Sequence, residues 1–180
     1  MKKTALQELS FKQLAWDMVW CNSASTALIL GSMIYNAEIW VNDYPPDIKE
    51  KFGPMSAKTK RDAALVAIPF FTIMIGGLLW SNGRLKRRNG GYLSPQAAFL
   101  NAFALILSGW AFDLTVLDWW MFVKKTPDFV VLAGTEGMAG YDDYLFHLKE
   151  HTRALPLLVG FALIIAWVTS SSRIGRQVAA

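Results

Sequence analysis

Cysteine occurs once in this chain, at Cys21, and histidine only twice. A single thiol excludes an intrachain disulfide and any Cys-x-x-Cys redox pair, and the bulky Trp20 before it does not suit a lipoprotein anchor. Charge is sparse too, at 18% of residues against 53% apolar, and the apolar residues are gathered in long blocks instead of recurring at amphipathic spacing. That excludes an ordinary soluble domain. No phosphate-cradling glycine loop, nucleophile elbow or zinc-protease signature occurs. Gly134, Gly137 and Gly140 recur every third residue without a following helix that fits a nucleotide. Nucleic acid is not an expected partner, because the Arg84–Arg88 cluster stands without any reading element. Its side chains suit lipid phosphates and membrane orientation instead.

What is present is four apolar blocks, Leu14–Val41, Ala63–Trp80, Pro95–Val123 and Leu155–Thr169. A helix crosses a bilayer with about 20 mainly apolar residues, so the second and fourth blocks are near the lower limit and the first and third exceed it. The reading is all-α: a single transmembrane domain, an integral membrane bundle of four transmembrane helices with two ordered extramembrane loops. The opening Met1-Lys2-Lys3-Thr4-Ala5 has the look of a secretory signal, but Gln7, Glu8, Lys12, Gln13 and Asp17 interrupt the apolar run that should follow. A retained amphipathic lead-in is expected, with Leu6, Leu9 and Leu14 along the membrane surface. Four spans put both termini and the middle loop on one side, where Lys2, Lys3, Lys12, Arg84, Lys86, Arg87, Arg88, Arg173 and Arg176 are densely placed. The positive-inside rule then makes both termini cytoplasmic, in a multi-pass protein of the bacterial inner membrane.

Two of the blocks carry polar seams. Steps of four and three residues from Ala97 reach Asn101, Ala104, Ser108, Ala111, Thr115 and Asp118, all small or polar. In the first block Asn22, Ser25, Ser32 and Asn36 do the same, with Ala27 and Gly31 as a small-xxx-small pair on the flank. Such seams meet a neighbouring helix or an inner polar space. Asp113 lies off its seam and must face a second neighbour, a cavity or the interface.

The connections are also patterned. Ser56 is a plausible N-cap for the second helix, and Ser94-Pro95 starts the third. Ser81-Asn82-Gly83-Arg84 should open a turn that Asn89-Gly90-Gly91 closes, and Pro69 should kink the helix before it. In the last loop, residues 124–154, Phe129-Val130-Val131-Leu132 is β-prone, and Tyr141–His151 suggests a short amphipathic helix lying on the membrane or capping the bundle.

If that segment is helical, Asp143, His147 and His151 stack along one face at spacings of four. His-x-x-x-His brings both imidazoles to one ion, so these three are candidate ligands of a divalent metal, and solvated surface histidines are the competing explanation. Glu38, Asp113 and Asp118 fall on the same membrane side and are candidates for acid–base work, proton transfer or cation binding. Pairing with Lys124, Lys125, Lys149 or Arg153 would be their purely structural role. No other cofactor is indicated.

The run Asp113–Trp120, with Phe129–Gly137 and Gly140–His147, resembles a family of small bacterial integral membrane proteins with no activity to carry over. The resemblance spans about half the chain and implies the same four-helix architecture. Three functions stay open at this point. The polar residues under the outer loops could form a site for a small or lipidic ligand, with a metal or a proton. The chain could instead be a non-catalytic subunit docking on other membrane proteins, or a small oligomeric transporter. Membrane lipids, membrane-protein partners and copies of itself are the expected partners.

Overall fold

The computed structural model describes residues 3–170 of the 180. Lys2, Arg173 and Arg176 of the basic flank lie outside the described residues. The chain is all-α, with no strand among the described residues. Its helices are α1 (Ala5–Glu8), α2 (Phe11–Asn36), α3 (Pro46–Phe52), α4 (Ala57–Arg88), α5 (Pro95–Phe112) and α6 (Tyr144–Thr169). α5 runs on through a π-wound extension to Lys125, and short 3-10 turns fill the connections.

Among the described residues three helices are long and apolar enough to cross a membrane: α4, α5 with its extension, and α6. Their outward faces are apolar, with Leu157 75% and Trp167 81% exposed, as a helix bordered by lipid requires. The four expected spans therefore reduce to three that qualify on apolarity. α2 has 26 residues, yet Gln13, Asp17, Asn22, Ser23, Ser25 and Thr26 dilute its apolar content. α5 packs along α6, and α2 packs against both α4 and α5.

Local chemistry sets the helix starts. Ser56 Oγ accepts from Thr59 N at 3.0 Å and Ser94 Oγ from Ala97 N at 3.2 Å, with Pro95 at the first turn, so both expected caps are in place. The expected turn at Ser81-Asn82-Gly83-Arg84 is not there. α4 continues through it to Arg88, and the chain reverses at Gly90 and Gly91, whose φ values are +66° and +82°. The reason lies in packing: Ser81 and Asn82 are fully buried and bonded to other helices, which outweighs their preference for turns. The β-prone run in the last loop forms a 3-10 turn at Asp128–Val130, and the short amphipathic helix expected inside that loop is the beginning of α6 itself.

The lead-in does not lie free on a surface. Thr4 caps α1, Glu8 is buried, and its Oε2 accepts from Ser94 N at 2.8 Å while its carbonyl accepts from Asn89 Nδ2 at 2.8 Å. Beneath it, Asp17 is 0% exposed and accepts from Ser81 Oγ at 2.6 Å, Arg84 Nη1 at 3.1 Å and Gln13 Nε2 at 3.3 Å. Asn101 Nδ2 donates to Ser81 Oγ at 2.8 Å and Asn82 Oδ1 at 3.0 Å, and Asn82 Nδ2 donates to Thr169 Oγ1 at 2.8 Å. One polar network thus joins α2, α4, α5 and α6. Part of the basic cluster is structural as well: Arg84 pairs with Asp17, and Lys86 Nζ donates to the last carbonyl of α6 at 3.2 Å, where a cation is favoured.

At the other end the connections form a cap. Tyr44, Ile48 and Val130 are fully buried, and Tyr44 Oη donates to Val130 O at 2.7 Å. Gly140 N donates to Asp47 Oδ2 at 2.9 Å, and a Cβ on Gly140 would run into Asp47 and come within 2.9 Å of Pro45 Cβ.

Two stability predictions follow. Asp17→Ala takes that acceptor from a guanidinium and two polar side chains, Gln13 and Ser81, so it should destabilise the protein by about 3 kcal/mol, read as a lower melting temperature in mild detergent. Arg153→Ala, which breaks only the exposed pair with Glu150, should leave that temperature unchanged. Gly140→Ala should cost about 1–3 kcal/mol by overpacking the cap, whereas Gly134→Ala, which meets nothing within 4 Å, should show only the smaller strain of its positive φ.

Candidate functional site

The site begins where α5 changes its winding. From Asp113 to Lys125 the helix is π-wound, and Thr126 N donates to Met121 O, five residues back, at 3.0 Å. Thr126 ends the run with a left-handed φ of 39°, uncommon for a β-branched residue. Its Oγ1 donates to the Phe122 and Val123 carbonyls, both at 2.9 Å. Winding of this kind is rare and recurs at functional sites. Its consequence here is angular. At 3.6 residues per turn, positions five apart lie about 140° round the axis, which would separate Asp113 from Asp118. With i→i+5 winding the two carboxylates turn toward one side and both approach His151, whose Nε2 is 2.8 Å from Asp118 Oδ2 and 3.7 Å from Asp113 Oδ2.

The partner residues come from α6. His147 and His151 are one turn apart and both reach Asp118, His147 through Nδ1 at 3.2 Å. The His147 side chain is 6% exposed, and the rings of Phe122 and Phe146 pack against it edge-on. Its Nε2 is buried and has no hydrogen-bond partner. With the carboxylate holding the proton on Nδ1, that Nε2 carries an unused lone pair. His151 is steadied by Trp110, whose indole donates to the His151 carbonyl at 3.0 Å and whose ring meets the imidazole edge-on at 5.7 Å.

Two cavities adjoin this cluster. The outer one, about 530 Å³, lies beneath the cap and is walled by Asn42, Asp43, Lys49, Asp118, His147 and several aromatic rings. The inner one, about 270 Å³, is mainly apolar, with Ile73, Met74, Leu105 and Leu158 in its walls and Asn22 and Ser25 as isolated polar groups. Both include Ile29, Phe70, Asp113, Leu117, His151 and Ala154. The more polar chamber and the mainly apolar one thus meet at Asp113 and His151. In the outer wall, desolvation and then the charge of Asp118 push the Asp43 carboxyl above its usual range, with Lys49 opposing.

Of the residues expected from sequence, Asp113, Asp118, His147 and His151 are brought together. Glu38 is not: it accepts from Thr59 Oγ1 at 2.8 Å and ties the end of α2 to the start of α4. Asp143 is the N-cap of α6, accepting from Phe146 N at 2.9 Å. His151 Nε2 and His147 Nδ1 are both directed at Asp118, which leaves His147 Nε2 as the one unpartnered buried imidazole nitrogen where a metal would want several donors. Among the described residues no three His, Cys, Asp or Glu side chains are grouped to hold a metal ion. Sequence reasoning missed Asp43 and Lys49 as site residues. Their only signal is a loop, Asn42-Asp43-Tyr44-Pro45-Pro46-Asp47, that reads as ordered without naming a role.

No protein-family model, curated protein or solved structure matches the chain. The resemblance carried by Asp113–Trp120, Phe129–Gly137 and Gly140–His147 rests on those residues alone.

The cluster predicts a spectroscopic signature. Side-chain ¹⁵N spectra should show His147 with its proton on Nδ1, and Asp118→Asn should redistribute it between the two nitrogens. An unchanged His147 spectrum in that variant would show that Asp118 does not orient the ring.

Proposed function

We propose that this is a four-span protein of the inner membrane whose Asp113–Asp118–His147–His151 cluster binds the polar head of an amphiphilic ligand, with the apolar part of that ligand in the inner cavity. The observation that carries the reading is the shared wall of the two cavities, which places the Asp113 carboxylate and the His151 imidazole at their boundary, with Asp118 and the unpartnered His147 Nε2 beside them in the outer cavity. Pockets that orient a ligand combine mostly apolar walls with a few convergent polar groups. Chemically, His147 Nε2 is equipped to accept a hydrogen bond or a proton from the head group, with Asp118 stabilising the imidazolium that results. α2 completes the proposed bundle. Its 26 residues span about 39 Å at 1.5 Å each, and Trp16, Val19, Trp20, Ile34 and Tyr35 face outward on it. Arg84, Lys86, Arg87 and Arg88 at the opposite end from the cap favour cytoplasmic termini.

The test is native mass spectrometry of the protein extracted with its lipids. The wild type should retain a defined amphiphile, and both Asp118→Asn and the cavity-filling Gly109→Trp should lose it while still inserting. A wild type that retains nothing, or variants that retain as much, would overturn the site reading.

One observation favours assembly with another membrane chain. Ser23, Ala27 and Gly31 are exposed along one line of α2, and nothing lies within 4 Å of a Cβ placed at Gly31, so a second helix has room to approach closely. If that face docks a copy or a partner, Gly31→Leu should release it in native electrophoresis without lowering the melting temperature.

A further inference from the structure

The head group that the outer cavity accepts has a definable charge. Resting on the reading that the adjoining cavities hold an amphiphile, we infer that the outer cavity is a recognition site for the protonated amine of a lipophilic ligand. Three carboxylates, Asp43, Asp113 and Asp118, line it, against one ammonium. That ammonium, Lys49 Nζ, donates to Asn42 O at 3.1 Å, and the remaining acid in the wall, Glu150, is paired with Arg153. The two imidazoles are both directed at Asp118 with close contacts of 3.2 and 2.8 Å, His151 Nε2 lies farther from Asp113 at 3.7 Å, and no lysine or arginine pairs with Asp43 or Asp113 among the described residues. Burial first, and then the charge of Asp118, push the Asp43 carboxyl upward, with Lys49 opposing.

Two further features refine the ligand. Trp40, Tyr44, Phe70, Phe122 and Phe146 contribute rings to the same walls, and aromatic surfaces beside carboxylates attract organic cations. His147 Nε2 is buried and unpartnered, and in the neutral ring with its proton on Nδ1 toward Asp118 it accepts a hydrogen bond. A phosphate or carboxylate head would meet repulsion from Asp113 and Asp118 and find no donor at His147. A neutral hydroxyl would satisfy His147 and leave the carboxylates uncompensated. A protonated amine meets both demands, its N–H groups on His147 Nε2 and a carboxylate, and its chain extending past Leu117 and Ala154 into the inner cavity.

The experiment titrates the full chain, in an uncharged detergent at pH 8, with octylamine, octyltrimethylammonium, octanol and octanoate, and follows the fluorescence of the tryptophans beside the cavities. Octylamine, protonated at that pH, should bind at least tenfold more tightly than octanol or octanoate, and Asp113→Asn should remove most of that advantage. His147→Phe should weaken octylamine several-fold and leave octyltrimethylammonium, which has no N–H, unchanged. The wild-type ligand series decides the charge even if a variant fails to fold. Equal or tighter binding of octanol or octanoate would overturn the amine assignment and keep the amphiphile cavity. Binding of none of the four would sink both.

Discussion

Asp17 has no access to solvent, and its carboxylate gathers Gln13, Ser81 and Arg84 around it. An ionised group inside an apolar helix assembly is tolerated only when it is paired and hydrogen-bonded. Each of its donors commits a helix to a position. Through Ser81 the network extends to Asn101 on α5, and through Asn82 to Thr169 at the end of α6. The satisfaction is nearly complete, with Gln13 Oε1 and Asn101 Oδ1 alone in the network lacking a partner. Close approach reinforces it, since Ala97, Ala98 and Ala102 are fully buried on the α5 face that meets this network. The arrangement fixes which helices are neighbours at the end opposite the cap.

At the outer end the same two helices carry a polar cluster organised differently. In the first network the carboxylate is fully engaged by donors, whereas the outer cluster leaves a buried imidazole nitrogen free and borders open volume. The difference originates in backbone winding. An α-helical α5 would continue the small seam from Asn101 through Ser108 to Asp118 and send Asp113 elsewhere. π-winding from Asp113 breaks that register and brings two carboxylates to one side, with Thr126 absorbing the residual mismatch in a left-handed conformation and in two side-chain bonds to freed carbonyls. Irregular winding costs stability, and proteins retain it where a geometry is needed that regular helices do not supply.

Much of the architecture was legible because it rests on local chemistry. Ser56, Ser94-Pro95 and Gly90-Gly91 do what their side chains and backbone freedom dictate, and the apolar blocks at α4, α5 and α6 satisfy the length a bilayer demands. Where local preference met a tertiary bond, the sequence misled. Ser81, Asn82 and Gly83 have the composition of a turn and sit inside a helix, because the first two are polar contacts between helices. In the site, the spacing of His147 and His151 was readable from a 3.6-residue period, and so was their common face. The partner was not. A five-residue spacing such as Asp113 to Asp118 has no meaning under α-helical periodicity, and nothing in single-sequence patterning announces a change of winding. Asp143 and Glu38 fit the acidic pattern but were claimed by helix capping and by Thr59.

The charge balance of the outer cavity connects these observations to a mechanism of recognition. Carboxylates at membrane depth are expensive unless neutralised or hydrated, and the inner end shows that this chain neutralises one fully when structure alone is at stake, with Arg84 on Asp17. Asp43 and Asp113 have Lys125, Lys124 and Lys49 available in nearby sequence, yet no ion pair links either carboxylate to a lysine among the described residues. In the proposed site, carboxylates that no lysine neutralises stand beside aromatic walls, and a ligand of complementary charge would supply the missing cation. The apolar chamber beneath would add a second, independent contribution of about 25 cal/mol per Å² of ligand surface removed from water. On that proposal selectivity comes from the charged chamber and affinity from the apolar one, with Asp113 and His151 in the wall that both share.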